Sequence, residues 1–179
     1  MQVKPEVAET IRGKKAQYCR YIDTKQWDKF ETLGLPDSTF AFFNPDGSPM
    51  TVGRTALTFP SPKAFTTNLK KNFADVRTLH LVGVGDLRQI GEEEVYAIWS
   101  MQDQIILKNS LGLFWMRGGG YYHETWLCQD GEWYLKSFEA RDDVLQEELA
   151  GKRVVVRPES SGLTGRISRT RWIAYLALF

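Results

Sequence analysis

The sequence predicts an α+β fold, with N-terminal helices packed on one face of a curved antiparallel sheet. Three observations carry this. Helical patterns come first and strand patterns follow, the order expected when helices are segregated to one side of an antiparallel sheet. The hydrophobic period switches to two at Thr78, and short turns join the alternating segments after it. Aromatic residues make up 13% of the 179-residue chain, enough large flat side chains to fill a core or to line an apolar cavity inside one.

The elements follow in order. Residues 5–24 read as a helix, because Pro5 suits a first turn and Glu6 and Glu9 suit the positive end of the helix dipole. Ala16, Cys19 and Asp23 fall at i, i+3 and i+7 and so share a face. A short second helix is expected from Lys25 to Leu33, with Trp27 and Phe30 as its apolar contacts. Phe40 to Phe43 reads as a short strand and Asn44 to Pro49 as a turn cluster. A third helix is expected over residues 61–74, with Ser61 as N-cap and Pro62 as first helical residue.

Four strands follow. Thr78 to Asp86 places Thr78, His80, Val82 and Val84 on one face, opposite Leu79, Leu81 and Gly83. Glu94 to Ile106 is the next strand, and Gly119 to Gln129 the third. Gln129-Asp130-Gly131 is an Asp-Gly hairpin signal leading into Trp133 to Phe138. The domain is expected to span residues 1–151, and residues 152–179 differ in composition. That tail holds six Lys/Arg and one Glu, so the remainder of the chain is net negative while the whole is +1. The tail reads as a basic extension, partly disordered, whose apolar end WIAYLALF docks or associates.

Composition excludes several classes. A net charge of +1 argues against nucleic acid as partner. Cys19 and Cys128 form neither a zinc spacing nor a disulfide framework and read as free thiols of a reducing, cytoplasmic setting. No signal-peptide pattern and no run of about 20 apolar residues occurs, so no integral membrane segment is expected. Phosphate-binding glycine loops, paired-cysteine metal sites and nucleophile elbows are absent, and neither a metal nor a cofactor is expected.

The chemistry-bearing residues each have two readings. Asp23, one turn before Trp27, is either a carboxylate placed for acid-base work or a cap of the second helix. His80, mid-strand between leucines, is either a proton carrier or a structural residue with a satisfied ring. In GGGYYHETWLCQDGEWYLKSFEARDD, alternation puts Gly120, Tyr122, Glu124 and Trp126 on one face and Tyr121, His123, Thr125 and Leu127 on the other. Periodicity leaves open which set faces inward. The glycines indicate close backbone approach or a bend.

These segments resemble the SnoaL-like division of the NTF2-like superfamily, and scytalone dehydratases in particular. YIDTKQWDKF is similar to the end of that family's first helix, TLHLVGVGDL to its first long strand with an inward histidine, and YYHETWLCQDGEWYLKSF to its closing hairpin. The resemblance covers roughly residues 6–145. It implies a cone: helices around a strongly curved antiparallel sheet that encloses a deep apolar pocket. It implies an Asp-His pair, Asp23 and His80, at the pocket floor. It turns Gly120, Tyr122 and Glu124 inward, and with Trp126 on the same face it implies substrate-facing roles for Tyr21, Phe42, Tyr122, Glu124 and Trp126.

The sequence also departs from the dehydratases. Ile22 stands where they have a tyrosine before the Asp, with Tyr21 one place earlier. Phe42 replaces a water-holding tyrosine, WSMQDQII lacks their second histidine, and Tyr122 replaces an asparagine. Scytalone is therefore not the expected substrate. The expected activity is that of a cofactor-free lyase, cyclase or isomerase acting on a small, apolar, oxygenated polyketide- or terpenoid-like molecule in secondary metabolism. The alternative is a non-catalytic ligand-binding or protein-interaction module of the same fold. Either is expected to form a homo-oligomer, dimer or trimer, through the convex face of the sheet.

Overall fold

The computed structural model describes residues 2–108, 114–149 and 152–156; for residues 114–115, 142–149 and 152–156 the description is of the backbone. The expected tail therefore lies outside the described residues from 157 onward.

Helix α1 runs Pro5–Asp23 with Pro5 in its first turn. It buries Ala8, Ile11, Lys15, Tyr18, Cys19 and Ile22, a stripe at three- and four-residue spacing. Ala16 is exposed, so the stripe runs through Lys15 and Ile22 rather than along the face expected from Ala16, Cys19 and Asp23. Lys25, at φ 58, follows the helix end, and the short helix α2 (Trp27–Glu31) packs against α1. Helix α3 (Pro62–Asn72) begins as the sequence indicates: the Ser61 hydroxyl accepts the Ala64 N–H at 3.1 Å.

The strands are β1 (Gly34–Phe43), β2 (Thr51–Val52), β3 (Thr55–Ala56), β4 (Thr58–Phe59), β5 (Val76–Val82), β6 (Asp86–Gly91), β7 (Glu94–Leu107), β8 (Phe114–Gln129), β9 (Glu132–Leu149) and β10 (Lys152–Val156). The main sheet has the order β4-β1-β9-β8-β7-β5, with β6 also on β7 and β10 on β9. It is mixed rather than wholly antiparallel, because β1 lies parallel to β9. The Asp-Gly hairpin forms as read: Asp130 (φ 53) and Gly131 (φ 82) make the two-residue turn between paired Gln129 and Glu132.

Two differences from the sequence reading have local causes. Strand β1 begins at Gly34 rather than Phe40, because Ser38 is fully buried and its hydroxyl bonds the Leu135 carbonyl. Pro36 is exposed within the register irregularity between Gly34 and Thr39, where a missing N–H is tolerated. The expected strand from Thr78 to Asp86 is two strands, β5 and β6, both paired with β7. The chain leaves the ladder at Gly83-Val84-Gly85, where a Cβ on Gly85 would run into the Trp99 ring, and Val84 turns outward to 86% exposure.

The core lies between the helices and the inner sheet face. Phe40 stacks on Phe65 at 4.6 Å between centroids, and Phe30, Phe42, Phe59 and Phe138 surround that pair. Alternation on β5 and β7 is clean. Val76, Thr78, His80 and Val82 face in, while Leu79 and Leu81 are about half exposed on the convex side. No helix of the described residues is long and apolar enough to cross a membrane.

Candidate active site

The end of α1 and the middle of β5 meet at one point. The Asp23 carboxylate is held there by three donors on β5. Oδ1 accepts the Thr78 hydroxyl at 2.8 Å, Oδ2 accepts the His80 backbone N–H at 3.0 Å, and Oδ1 lies 2.6 Å from His80 Nδ1. The local sequence explains the meeting. Alternation turns Thr78 and His80 to the same inner face, and α1 ends with Asp23 directly over it. None of these contacts is a cap of α2, whose N-cap position is Gln26 and has no side-chain cap bond.

His80 lines a cleft between the helices and the inner face of the sheet. Its walls are otherwise mainly apolar, including Phe42, Phe59, Phe65, Leu69, Met101 and Phe138. With Nδ1 engaged by Asp23, Nε2 is the ring nitrogen left for other partners. A carboxylate on Nδ1 fixes the tautomer and the ring orientation.

Of the other residues singled out in the sequence, Phe42 and Tyr122 also line the cleft. Tyr21, Glu124 and Trp126 do not. Tyr21 packs partly buried at the edge of the core with the Arg20 guanidinium 5.3 Å from its ring centroid. Glu124 does face inward, as the resemblance implied, but it is enclosed behind the cleft. Its Oε1 lies 2.5 Å from Lys15 Nζ, and its Oε2 accepts the indole N–H groups of Trp99 at 2.7 Å and Trp126 at 3.0 Å. Lys15 and Glu124 have no exposed side-chain surface. The ammonium also sits 3.9 Å from the Tyr18 ring centroid and 4.1 Å from that of Tyr122. Trp126 is thus a partner of Glu124 rather than a wall of the cleft.

The sequence reading missed this ion pair because Lys15 looks like one more helix-surface lysine. The signal was its place in the buried stripe between Ile11 and Tyr18.

A second miss is Asp103 on β7, in the stretch WSMQDQII. Asp103 lines the cleft, is 7% exposed, and is the direct cross-strand partner of His80. Its Oδ1 accepts the Gly118 N–H at 2.8 Å. Burial is the largest influence on its carboxyl and raises its pKa above the ordinary aspartate value; the nearby His80 pulls it partly back. By contrast, burial pushes the Cys19 thiol up to about 11 and leaves it inert. Among the described residues, no group of three His, Cys, Asp or Glu side chains is placed to hold a metal ion.

The chain belongs to the SnoaL-like domain family, whose sequence profile matches residues 6–139. It is 39% identical over 137 residues to "Probable cyclase FGR4" of Gibberella zeae, covering 76% of this chain and 91% of that protein. Its fold is similar to two structures from Novosphingobium. The candidate scytalone dehydratase of N. aromaticivorans has a TM-score of 0.61 at 14% identity, covering 89% of this chain and 94% of that one. The hexachlorocyclohexane dehydrochlorinase LinA-type3 of N. barchaimii has a TM-score of 0.64 at 16% identity, covering 84% and 94%.

Proposed function

We propose that the chain is a cofactor-free lyase, cyclase or isomerase of secondary metabolism that moves protons on a polyketide- or terpenoid-like substrate. The observation that carries this is the Asp23–His80 contact of 2.6 Å, whose imidazole lines a mainly apolar cleft. His80 Nε2 is the general base, and Asp23 orients the ring and offsets the charge that appears when Nε2 takes up a proton. Phe42 and Tyr122 form part of the surface against the substrate's carbon skeleton. Kinship with a protein named as a cyclase supports ring closure as the reaction type.

The test is comparative metabolite profiling of the producing cells with the wild-type gene and with His80→Ala. The wild-type protein should consume a compound that accumulates in the variant, and the purified wild-type protein should convert that compound. Unchanged profiles, with the variant folded and expressed, would instead favour the non-catalytic binding module.

Self-association and a cytoplasmic location belong to the same reading. Leu79, Leu81 and Tyr121 are each close to half exposed on the convex sheet face, and Ile106 lies beside them at 38%. Apolar groups so placed suit contact with a second copy. Light scattering should give a mass above 20.6 kDa, reduced by Leu79→Glu/Leu81→Glu. Cys19 and Cys128 are free thiols, in keeping with a reducing compartment.

A further inference from the structure

Asp103 is a costly residue in its position. A carboxylic acid on an inward strand position, enclosed among apolar groups, is disfavoured unless something compensates it. Its compensation is slight. Among the described residues its donors are backbone amides, that of Gly118 at 2.8 Å and its own, and no salt bridge to a Lys or Arg is formed. Glu124, two strand positions beyond Tyr122 on β8, shows what a compensated carboxylate looks like here: an ammonium on one oxygen and two indole donors on the other.

The backbone opposite is shaped to make room for Asp103. A Cβ at position 118 would fall 2.4 Å from Asp103 Oδ1, so any larger residue there would push the carboxyl from its place. The first residue of the Gly118-Gly119-Gly120 run is therefore explained by the carboxyl it accommodates. The titratable groups facing Asp103 are His80 from β5 and Asp23 from α1, while β8 presents the Gly118 amide. His80 and Asp103 are opposite one another in the ladder, which sets their Cβ atoms about 5 Å apart. Both line the same cleft, and no hydrogen bond joins them.

We propose that Asp103 is the second proton-transfer residue of this cleft, the acid that stands beside the His80 base on the same face of the sheet. The assignment rests on the reading of Asp23–His80 as a working dyad. In a ring closure, a substrate O–H gives its proton to His80 Nε2 while the oxygen bonds to an electrophilic carbon. The electron pair displaced from that carbon ends on the substrate's acceptor oxygen, which takes the proton of the Asp103 carboxyl. The imidazolium then returns its proton to the Asp103 carboxylate, and no co-reactant is needed. In a dehydration the same groups act on a C–H and on the departing hydroxyl, and water carries off the transferred proton. The carboxyl must hold its proton beyond the usual aspartate range to serve as the acid, and burial favours that.

Two measurements on the full-length protein test this. The first needs no substrate: carbon-detected NMR of the aspartate carboxyls across pH, with the Asp103 signal assigned by its loss in Asp103→Asn. Titration of that signal above the range of the exposed aspartates is expected; titration among them overturns the proposal. The second uses the compound that accumulates in His80→Ala cells. Asn at 103 retains the acceptor for the Gly118 amide, so the fold should persist. Asp103→Asn should lose about 10²–10⁴-fold in kcat/KM and lose the alkaline limb of the pH profile, with Tm unchanged or raised. If His80→Ala is inactive while Asp103→Asn turns over at wild-type rate with an unaltered profile, the assignment of Asp103 fails and the dyad stands. If His80→Ala is fully active, the dyad itself fails.

Discussion

Two short side-chain contacts, Lys15–Glu124 and Asp23–His80, join α1 to the sheet eight residues apart on the helix, and they differ in one respect. Lys15–Glu124 is closed on every side, by two indole donors and by the faces of Tyr18 and Tyr122. Asp23–His80 is equally short, and its imidazole borders the cleft. The first has every valence spent on the protein. The second keeps a ring nitrogen for something else. Titratable groups in contact are thus not by themselves a site. A site needs a group whose partners leave one atom unsatisfied toward a space that a molecule can enter.

That contrast can be broken or sharpened by substitution. The largest effect should be on turnover. Asp23→Asn leaves the ring without its carboxylate partner and should lower kcat by about 10²–10⁴-fold, measured on the accumulating compound, with only a small change in Tm. Glu124→Gln should do the opposite. It strands a fully buried ammonium and should cost about 3–5 kcal/mol in denaturant unfolding. The double variant Lys15→Met/Glu124→Gln should recover much of that loss, since it removes the unpaired charge. A double variant no better than the single would show that the pair's worth lies in its indole and ring contacts.

A smaller effect is expected at the glycine beside Asp103. Gly118→Ala forces the carboxyl or the strand to shift and should cost about 1–3 kcal/mol, the range for overpacking. Asp103→Asn at the same contact should have the reverse sign as pH rises. The folded chain holds the Asp103 proton more tightly than the unfolded chain does. Wild-type stability is therefore greatest below the ordinary aspartate pKa on this account and falls as pH rises through the raised folded value. The variant should lack that slope in urea unfolding series taken across acid to neutral pH. The smallest effect should be at Ser61→Ala, which removes a cap far from either contact and should cost about 1 kcal/mol.

How much was legible in the sequence follows the same division. Local rules reached the Ser61 cap, the Asp130-Gly131 hairpin and the alternation that turns Thr78 and His80 inward, because each depends on a few adjacent residues. The break at Gly83–Gly85 was not legible, since its cause is the Trp99 ring on a neighbouring strand. Asp23 and His80 were singled out with two readings each, the resemblance paired them, and the structure brings them together. Glu124 was correctly placed on the inner face. Its enclosure was hidden, because the enclosing groups come from α1, β7 and β8 at once. Asp103 went unnoticed for the same reason: a polar run such as MQDQ on an alternating strand does not say which of its members faces a cleft until the register with β5 and β8 is fixed.

The spacing of the two fastenings on α1 has a mechanical consequence. A rod pinned near its middle and at its end can neither slide along the sheet nor roll on it without breaking a short side-chain contact. The wall formed by α1 is therefore stiff, and so is the floor that carries His80. The wall opposite is built differently. Met50, Leu57 and Phe59 border the cleft from the segment holding the two-residue strands β2, β3 and β4, tied by a few main-chain bonds such as Met50 N–H to the Phe42 carbonyl. Two-residue strands held by a few main-chain bonds should yield more readily than a helix fastened at two points, so residues 50–59 are expected to be the more compliant part of the lining.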